Sequence, residues 1–410
     1  MSETTPQPLL VVGAGIAGVT AALEAAEAGR DVVLLEKEAS IGGRVLQLHH
    51  YFPKLCPPSC GMEINTRRLE RNPRVRVLTR SEIQSAEDGK VTIRQAPAYV
   101  NDRCTACGKC CEVCPAKVAD PHDLGMNEVP AIRIPHPHAW PYRYTLDREA
   151  CPDGCRACVD ACAYDAIDLD AKEREETIEV GSVVVATGWH AYPLDKLPEL
   201  GGGTLPNVIS NVQMERLASK TGHTGGKIQR PSDGEAPKKV AFVQCAGSRD
   251  RNHLPYCSSV CCLGSFKQAL YVQEQDPESE VVIYYIDRRA FGRNEELLAR
   301  LAGEKGVRLV KGKVGRVEAG EGGALKLRAE DVEAGRLIED EADLVVLATG
   351  MVPNLKDGAL PLGLERDEDG FGLDSNKAQV AGVARRPADV ATCVRDATGA
   401  AARALAAGRA

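Results

Sequence analysis

Residues 9–36 carry the pattern that constrains this chain most. Leu9–Val12 is a short apolar run of the kind a buried parallel strand needs. It leads into Gly13-Ala14-Gly15-Ile16-Ala17-Gly18, then an alanine-rich stretch that reads as a helix closed by Gly29 as a C-cap. A second apolar strand over 31–35 ends on Glu36, with Lys37 beside it. A lone GxGxxG says little. With a strand before it, a helix after it and an acidic residue at the end of the next strand, it is a dinucleotide fingerprint. Gly13 permits the tight turn, Gly15 lets backbone amides approach a pyrophosphate at the helix N-terminus, and Gly18 lets helix and strand pack closely. Glu36 is expected to take the ribose hydroxyls.

A second glycine pair follows in Ile41-Gly42-Gly43-Arg44, as in flavoproteins that bind FAD in the first of two dinucleotide domains. Two further apolar strands end alike: Ser182–Val185 runs into Ala186-Thr187-Gly188, and residues 344–347 run into Ala348-Thr349-Gly350. Such flavoproteins use paired ends of this kind where the chain crosses between domains, so FAD is the expected dinucleotide.

The chain has 410 residues, enough for two to three domains, and 16 of them are cysteines. The N-terminal residues 1–8 have no basic and apolar export pattern, and no apolar run approaches the roughly 18 residues of a membrane span. A cytoplasmic protein with no direct membrane span is therefore expected. There, clustered cysteines point to metal or redox chemistry rather than disulfides. The net charge of −7 argues against a nucleic-acid partner.

Cys104-x2-Cys107-x2-Cys110-x3-Cys114-Pro115 has bacterial ferredoxin spacing, and Cys151-x3-Cys155-x2-Cys158-x3-Cys162 follows with one extra residue in its first gap. In ferredoxins three cysteines of a motif hold one cubane and the fourth crosses to the other. The expected sets are Cys104, Cys107, Cys110 with Cys162, and Cys151, Cys155, Cys158 with Cys114. Zinc also takes four thiolates, but interleaved runs ending in CxxxC fit cubanes better. Cys111 is out of register and reads as a packed free thiol. The stretch 121–141 reads as an irregular connector, with His122, His136 and His138 as surface or packing residues.

A third set begins where a second dinucleotide unit would. The apolar strand at 239–243 runs not into GxGxxG but into Gln244-Cys245-Ala246-Gly247-Ser248-Arg249-Asp250, then Tyr256-Cys257-Ser258-Ser259-Val260-Cys261-Cys262, before a helix bearing Lys267 and Gln268. Thiols occupy the place that phosphate-binding amides would need, so NADH binding is disfavoured. Spacing alone indicates a metal site.

These segments resemble the flavin-proximal cluster motif of the HdrA family, the flavin subunits of heterodisulfide reductases. Within that family, the stretch 51–61, with Cys56 and Cys60, is similar to the QmoA branch, which belongs to quinone-interacting membrane-bound oxidoreductases. The resemblance implies a third 4Fe–4S cluster on Cys245, Cys257, Cys261 and Cys262, with Lys267 approaching the flavin ring as a catalytic group. It also implies an FAD and iron–sulfur subunit that relays electrons, in dissimilatory sulfur metabolism, between a membrane quinone-reactive subunit (QmoC-like) that would tether the chain peripherally and adenylylsulfate reductase, alongside an HdrA-like sibling (QmoB-like). The alternative is an HdrA-type subunit of a heterodisulfide-reductase-like complex, and a third reading is a stand-alone NAD(P)H-dependent flavin disulfide reductase.

The expected fold is α/β, a two-dinucleotide-binding Rossmann flavoprotein with an inserted two-cluster ferredoxin-like α+β domain. Residues 1–98, 171–235 and 346–410 would build the FAD domain and a connector, 99–170 the insert, and 236–345 a degenerate second Rossmann unit. Near the end, Gly382 is expected beside the flavin phosphates, ahead of an alanine-rich helix over 389–405. Cys56 and Cys60 read as a structural loop near the flavin, and Arg67, Arg68, Arg71, Arg74, Arg76 and Arg80 as a solvated face.

Overall fold

The computed structural model describes residues 7–358 and 360–407. Two five-stranded parallel sheets organise the chain. The first has the order Ala378–Val380, Ser182–Val185, Leu9–Val12, Val32–Leu35, Val75–Leu78, with Leu9 paired to Ser182 on one side and Val32 on the other. Its central strands are wholly buried on both faces, and all but Ser182 of their residues are apolar, as helices covering a parallel sheet require. The helix Ile16–Glu27 presents small residues on nearly every side, and the final helix Val390–Ala407 packs against it through Ala397, Ala400, Ala401 and Ala404. Alanine-rich faces permit this close approach of two helices.

The second sheet has the order Val208–Ser210, Leu344–Thr349, Lys239–Ala246, Glu280–Tyr285, Val307–Lys311, with the helix Cys261–Gln275 buried against it. It draws its first strand, and the helix Asn211–Ala218 behind that strand, from the 171–235 stretch that the sequence reads as FAD-domain continuation and connector. Two antiparallel crossings join the sheets: Trp189–Ala191 pairs with Met351–Pro353, and each strand directly follows one of the two ATG ends. Antiparallel three-stranded ribbons flank each sheet.

Residues 99–170 gather their own apolar cluster around Val100, Ala131, Ile132, Tyr144 and Leu146. Val100 bridges Ile167, and Asp168 donates its N–H to the Tyr99 carbonyl at 2.8 Å, so the segment closes on itself where it leaves the surrounding fold. The 121–141 stretch holds more order than an irregular connector: Lys117–Ala119 pairs with Glu128–Pro130, and Ile132–Arg133 with Thr145–Leu146. Among the described residues, no helix is long and apolar enough to cross a membrane.

Candidate functional site: a glycine cradle and thiol-lined pockets

The first glycine turn is built as the fingerprint requires. Gly13 has φ +96°, and a side chain on Gly18 would run into the Gly13 carbonyl. The helix begins at Ile16 with no capping side chain and no acidic residue in its first turn. Its leading amides are therefore free to meet an anion. Glu36 is 8 % exposed and accepts N–H groups from Ala14 at 2.9 Å and Glu38 at 3.0 Å. Burial pushes its pKa up and these amides pull it back. Each carboxylate oxygen keeps a second lone pair for a hydroxyl. Gly42 donates to the Ala14 carbonyl at 2.9 Å, which brings the second glycine pair onto the first turn. Arg44 Nε donates to the Trp189 carbonyl at 3.2 Å, tying this loop to the first crossing, while Lys37 is exposed beside Glu38.

The two ATG ends do different work. Thr187 has a buried hydroxyl with no partner, and Gly188 borders open space at φ +70°. Gly350 is filled in by the fold: a side chain there would strike the Ser248 and Ser258 hydroxyls and Leu254. Ala348, Thr349 and Gly350 therefore abut the third cysteine set, with Cys261 Sγ donating to the Thr349 carbonyl at 3.6 Å. Gly382 donates its N–H to Asp396 at 2.8 Å, and Asp389 caps the last helix through the Thr392 N–H at 2.7 Å. A carboxylate thus meets this turn from inside the helix, a partner that the sequence pattern does not reveal.

Eight of the cysteines line two pockets. Cys104, Cys107, Cys110 and Cys162 line one pocket with Val100, Tyr144 and Ile167. Cys162 comes from the other motif, which is the crossed arrangement. Burial raises the Cys110 thiol pKa to about 12. Of the second set, Cys151 and Cys155 lie close enough to Cys158 to raise its pKa further after burial has done so. Cys114 packs on the same apolar cluster and donates to the Ala116 carbonyl at 3.4 Å.

Cys245, Cys257, Cys261 and Cys262 line the other pocket with Ser248, Arg249, Asp287 and Arg289. A bulge places them: the register slips between Val243 and Ala246, and Cys245 sits at φ +57°. Burial, then the Cys262 thiol, raises Cys245 to about 11, against a lowering by Arg249. Cys261 is raised well above its usual value by burial first and then by its three neighbours. Among the described residues, no three His, Cys, Asp or Glu side chains converge tightly enough to hold a single metal ion. The thiols instead line two pockets, four to each.

Lys267 does not border the thiol pocket. It is 2 % exposed, paired with Glu215 at 3.0 Å and bonded to the His50 carbonyl. Glu215 also accepts from Gln268 Nε2 at 2.6 Å and from the His49 N–H at 3.0 Å. Next to it, Arg216, fully buried, donates to Asp123 at 2.7 Å, and Asp123 also accepts from the His223 N–H at 2.6 Å. This network joins the 99–170 segment to the second sheet, and sequence reasoning missed it. Glu215-Arg216 in a short amphipathic helix looks like any solvated pair.

His122 and His136 stack 5.1 Å apart beside this network. Burial lowers their pKa values to about 3 and about 4. In the unfolded chain both titrate near 6.5, so between about pH 6.5 and 4 the unfolded state binds protons that the folded state refuses. Stability is then expected to fall as pH drops through that window, by roughly 1 kcal/mol per histidine per unit. Denaturant melts at pH 7 and pH 5.5 check this, and His122→Asn should flatten the dependence.

The remaining candidates do not line either thiol pocket. Arg67, Arg68, Arg74 and Arg76 pair with Glu63, Glu27, Asp31 and Glu176 on the surface, so four of the six arginines of this run are neutralised within the chain. Arg80 departs from the expected solvated face: it turns inward and donates to the Thr145 hydroxyl at 3.2 Å. Cys60 is exposed in the first turn of the helix Pro58–Arg71, and Cys56 closes a turn by accepting the Tyr51 N–H at 3.0 Å.

Set beside known proteins, this geometry has a class. Residues 11–79 match the NAD(P)-binding Rossmann-like domain family. The fold superposes on thioredoxin reductase from T. acidophilum with a TM-score of 0.53 at 14% identity, covering 99% of this chain and 100% of that one. It superposes likewise on the bacillithiol disulfide reductase Bdr of Bacillus cereus with a TM-score of 0.54 at 12% identity, over 98% and 99% of the two chains. These define the two-dinucleotide flavoprotein fold.

In sequence, the chain is 37% identical over 418 residues to the A-type subunit of the H(2):CoB-CoM heterodisulfide,ferredoxin reductase of Methanothermobacter marburgensis, covering 96% of this chain and 63% of that protein. It is 38% identical over 416 residues to the A-type iron-sulfur subunit of the CoB--CoM heterodisulfide reductase of Methanocaldococcus jannaschii, with the same coverage. The chain belongs to the HdrA family. It spans a little under two thirds of the length of these relatives.

Proposed function

We propose that the chain is the flavin and iron–sulfur electron-transfer subunit of a heterodisulfide-reductase-like complex, an oxidoreductase active with partner subunits. The single observation that carries the reading is that thiols distant in sequence meet in two pockets, with Cys162 crossing to Cys104, Cys107 and Cys110, in a chain that also builds a dinucleotide cradle. FAD exchanges two electrons and 4Fe–4S clusters one each, so together they convert pair chemistry to single-electron chemistry. In this reading the Ile16–Glu27 helix N-terminus and Glu36 hold the dinucleotide, residues 99–170 form a ferredoxin-like domain with two clusters, and Cys245, Cys257, Cys261 and Cys262 hold a third.

The protein's own groups orient the parts. Arg44 ties the second glycine loop to Trp189, and Gly350 packs the crossing against the cysteine loop. Lys267, which the family resemblance assigns to the flavin, is held by Glu215. The named relatives are heterodisulfide reductase subunits, so that reading takes precedence over the quinone-linked one suggested by residues 51–61. The NAD(P)H-dependent reading lacks a second glycine turn.

A test separates flavin from wire. In Cys107→Ser, chemical reduction of the flavin should proceed at the native rate, while electron delivery to an acceptor docked on the 99–170 segment should fall at least tenfold. Anaerobic stopped-flow traces of flavin and acceptor distinguish the two, and native delivery by the variant would remove the proposed role of that segment.

A further inference from the structure

The two thiol pockets differ in what surrounds their sulfur atoms. Around Cys104, Cys107, Cys110 and Cys162 the one charged lining residue is Lys109, and Glu112 draws its ammonium away at 3.0 Å. Around Cys245, Cys257, Cys261 and Cys262 two guanidinium groups, Arg249 and Arg289, line the wall. Asp287 fixes both, at 2.7 Å from Arg249 and 3.9 Å from Arg289, and its backbone carbonyl accepts from Cys262 Sγ at 3.3 Å. Arg249 is thereby anchored on the wall it shares with Cys245.

Two uncharged donors complete the contrast. Gln244 is 4 % exposed and accepts from the Cys262 thiol through Oε1 at 3.2 Å, which leaves its Nε2 buried without a partner. Ser248, also 4 % exposed, lines the pocket with an unpartnered hydroxyl. A buried amide N–H with no acceptor is costly, and the thiol form of Cys262 gives it none. A cluster-bound cysteine is a thiolate and can only accept. Turning the Gln244 amide over then aims Nε2 at Cys262 Sγ and satisfies both groups. The orphaned donors make sense once the sulfur atoms carry negative charge.

Donors and positive charge around a cluster stabilise its reduced, more negative state. We infer that Gln244, Ser248 and Arg249 are positioning residues that raise the reduction potential of the Cys245 cluster above the potentials of the two clusters in the 99–170 segment. Electrons that reach the assembly then rest first beside the second sheet, and the insert is populated from there under stronger reduction. The inference rests on the three-cluster reading above.

The test is an EPR-monitored redox titration of the anaerobic full chain, with iron content measured on the same samples. In the wild type, one cluster should reduce at higher potential than the other two. Arg249→Gln should make that cluster at least tenfold harder to reduce, about 59 mV for a one-electron couple, and leave the other two midpoints unmoved. Ser248→Ala should shift the same midpoint in the same direction, and Arg249→Lys, which keeps the charge, should restore most of the loss. Unchanged midpoints in Arg249→Gln and Ser248→Ala with full iron would overturn the inference, as would equal shifts in all three clusters. Wild-type protein with iron for only two clusters would instead sink the three-cluster reading, so the two failures are told apart.

Discussion

Cys261→Ala protein purified anaerobically should hold about eight irons and eight acid-labile sulfides per chain where the wild type holds about twelve, with one FAD in both. Cys261 is among the most enclosed thiols of its pocket, 7 % exposed, at the N-terminus of a helix that is buried along most of its length. No other cysteine is in place to substitute for it: Cys56 and Cys60 sit in a separate turn, and Cys393 packs between the last helix and the first sheet. The flavin should stay because Gly13, Gly15, Gly18 and Glu36 belong to the other sheet and share no hydrogen bond with Cys261. Flavin loss in step with iron loss would mean that the pocket holds up the dinucleotide cradle. Unchanged iron would remove Cys261 as a ligand.

Asp123→Ala should destabilise the protein by about 3–5 kcal/mol, the cost of stranding a buried charge. Arg216 has no exposure, Asp123 contributes only 3% of its side chain to solvent, and the remaining partners of Arg216 are neutral: the Gln47 carbonyl and the Thr221 hydroxyl. Because Asp123 comes from the 99–170 segment and Arg216 from the helix behind the second sheet, the variant should also loosen that junction. Chemical denaturation gives the stability, and hydrogen exchange around 117–130 shows the loosening. Replacing both partners, as in Asp123→Leu with Arg216→Met, should recover much of the loss, since no lone charge remains. A single variant as stable as the wild type would mean that Arg216 reaches water or another acceptor.

The parts of this molecule that are legible in the sequence are those whose chemistry is local. Leu9–Val12 and Ser182–Val185 emerge with the limits read from the chain, because a short buried run rich in branched residues ahead of a glycine-containing turn leaves few alternatives. The strand read at 239–243 runs on to Ala246, since the bulge at Cys245 preserves pairing beyond the apolar run. Val208–Ser210 reads as connector because three residues are too short for periodicity to register, and only pairing with Leu344–Thr349 gives them a sheet. The crossing of Cys162 to the first motif follows from spacing. The Glu215–Lys267 and Arg216–Asp123 pairs do not, because partners 52 and 93 residues away leave no trace in a local window. Gly350 shows the limit of motif reading: the same three letters that open a cradle at Gly188 close a packing contact there.

The most direct test of the central claim is an electron count. Anaerobic coulometric titration of the flavin-loaded, reconstituted chain should end at about five electrons, two for the flavin and one for each of three 4Fe–4S clusters. An end point near two electrons would mean that the cysteine sets hold no redox-active iron, and the account of this chain as a two-to-one electron converter would be contradicted.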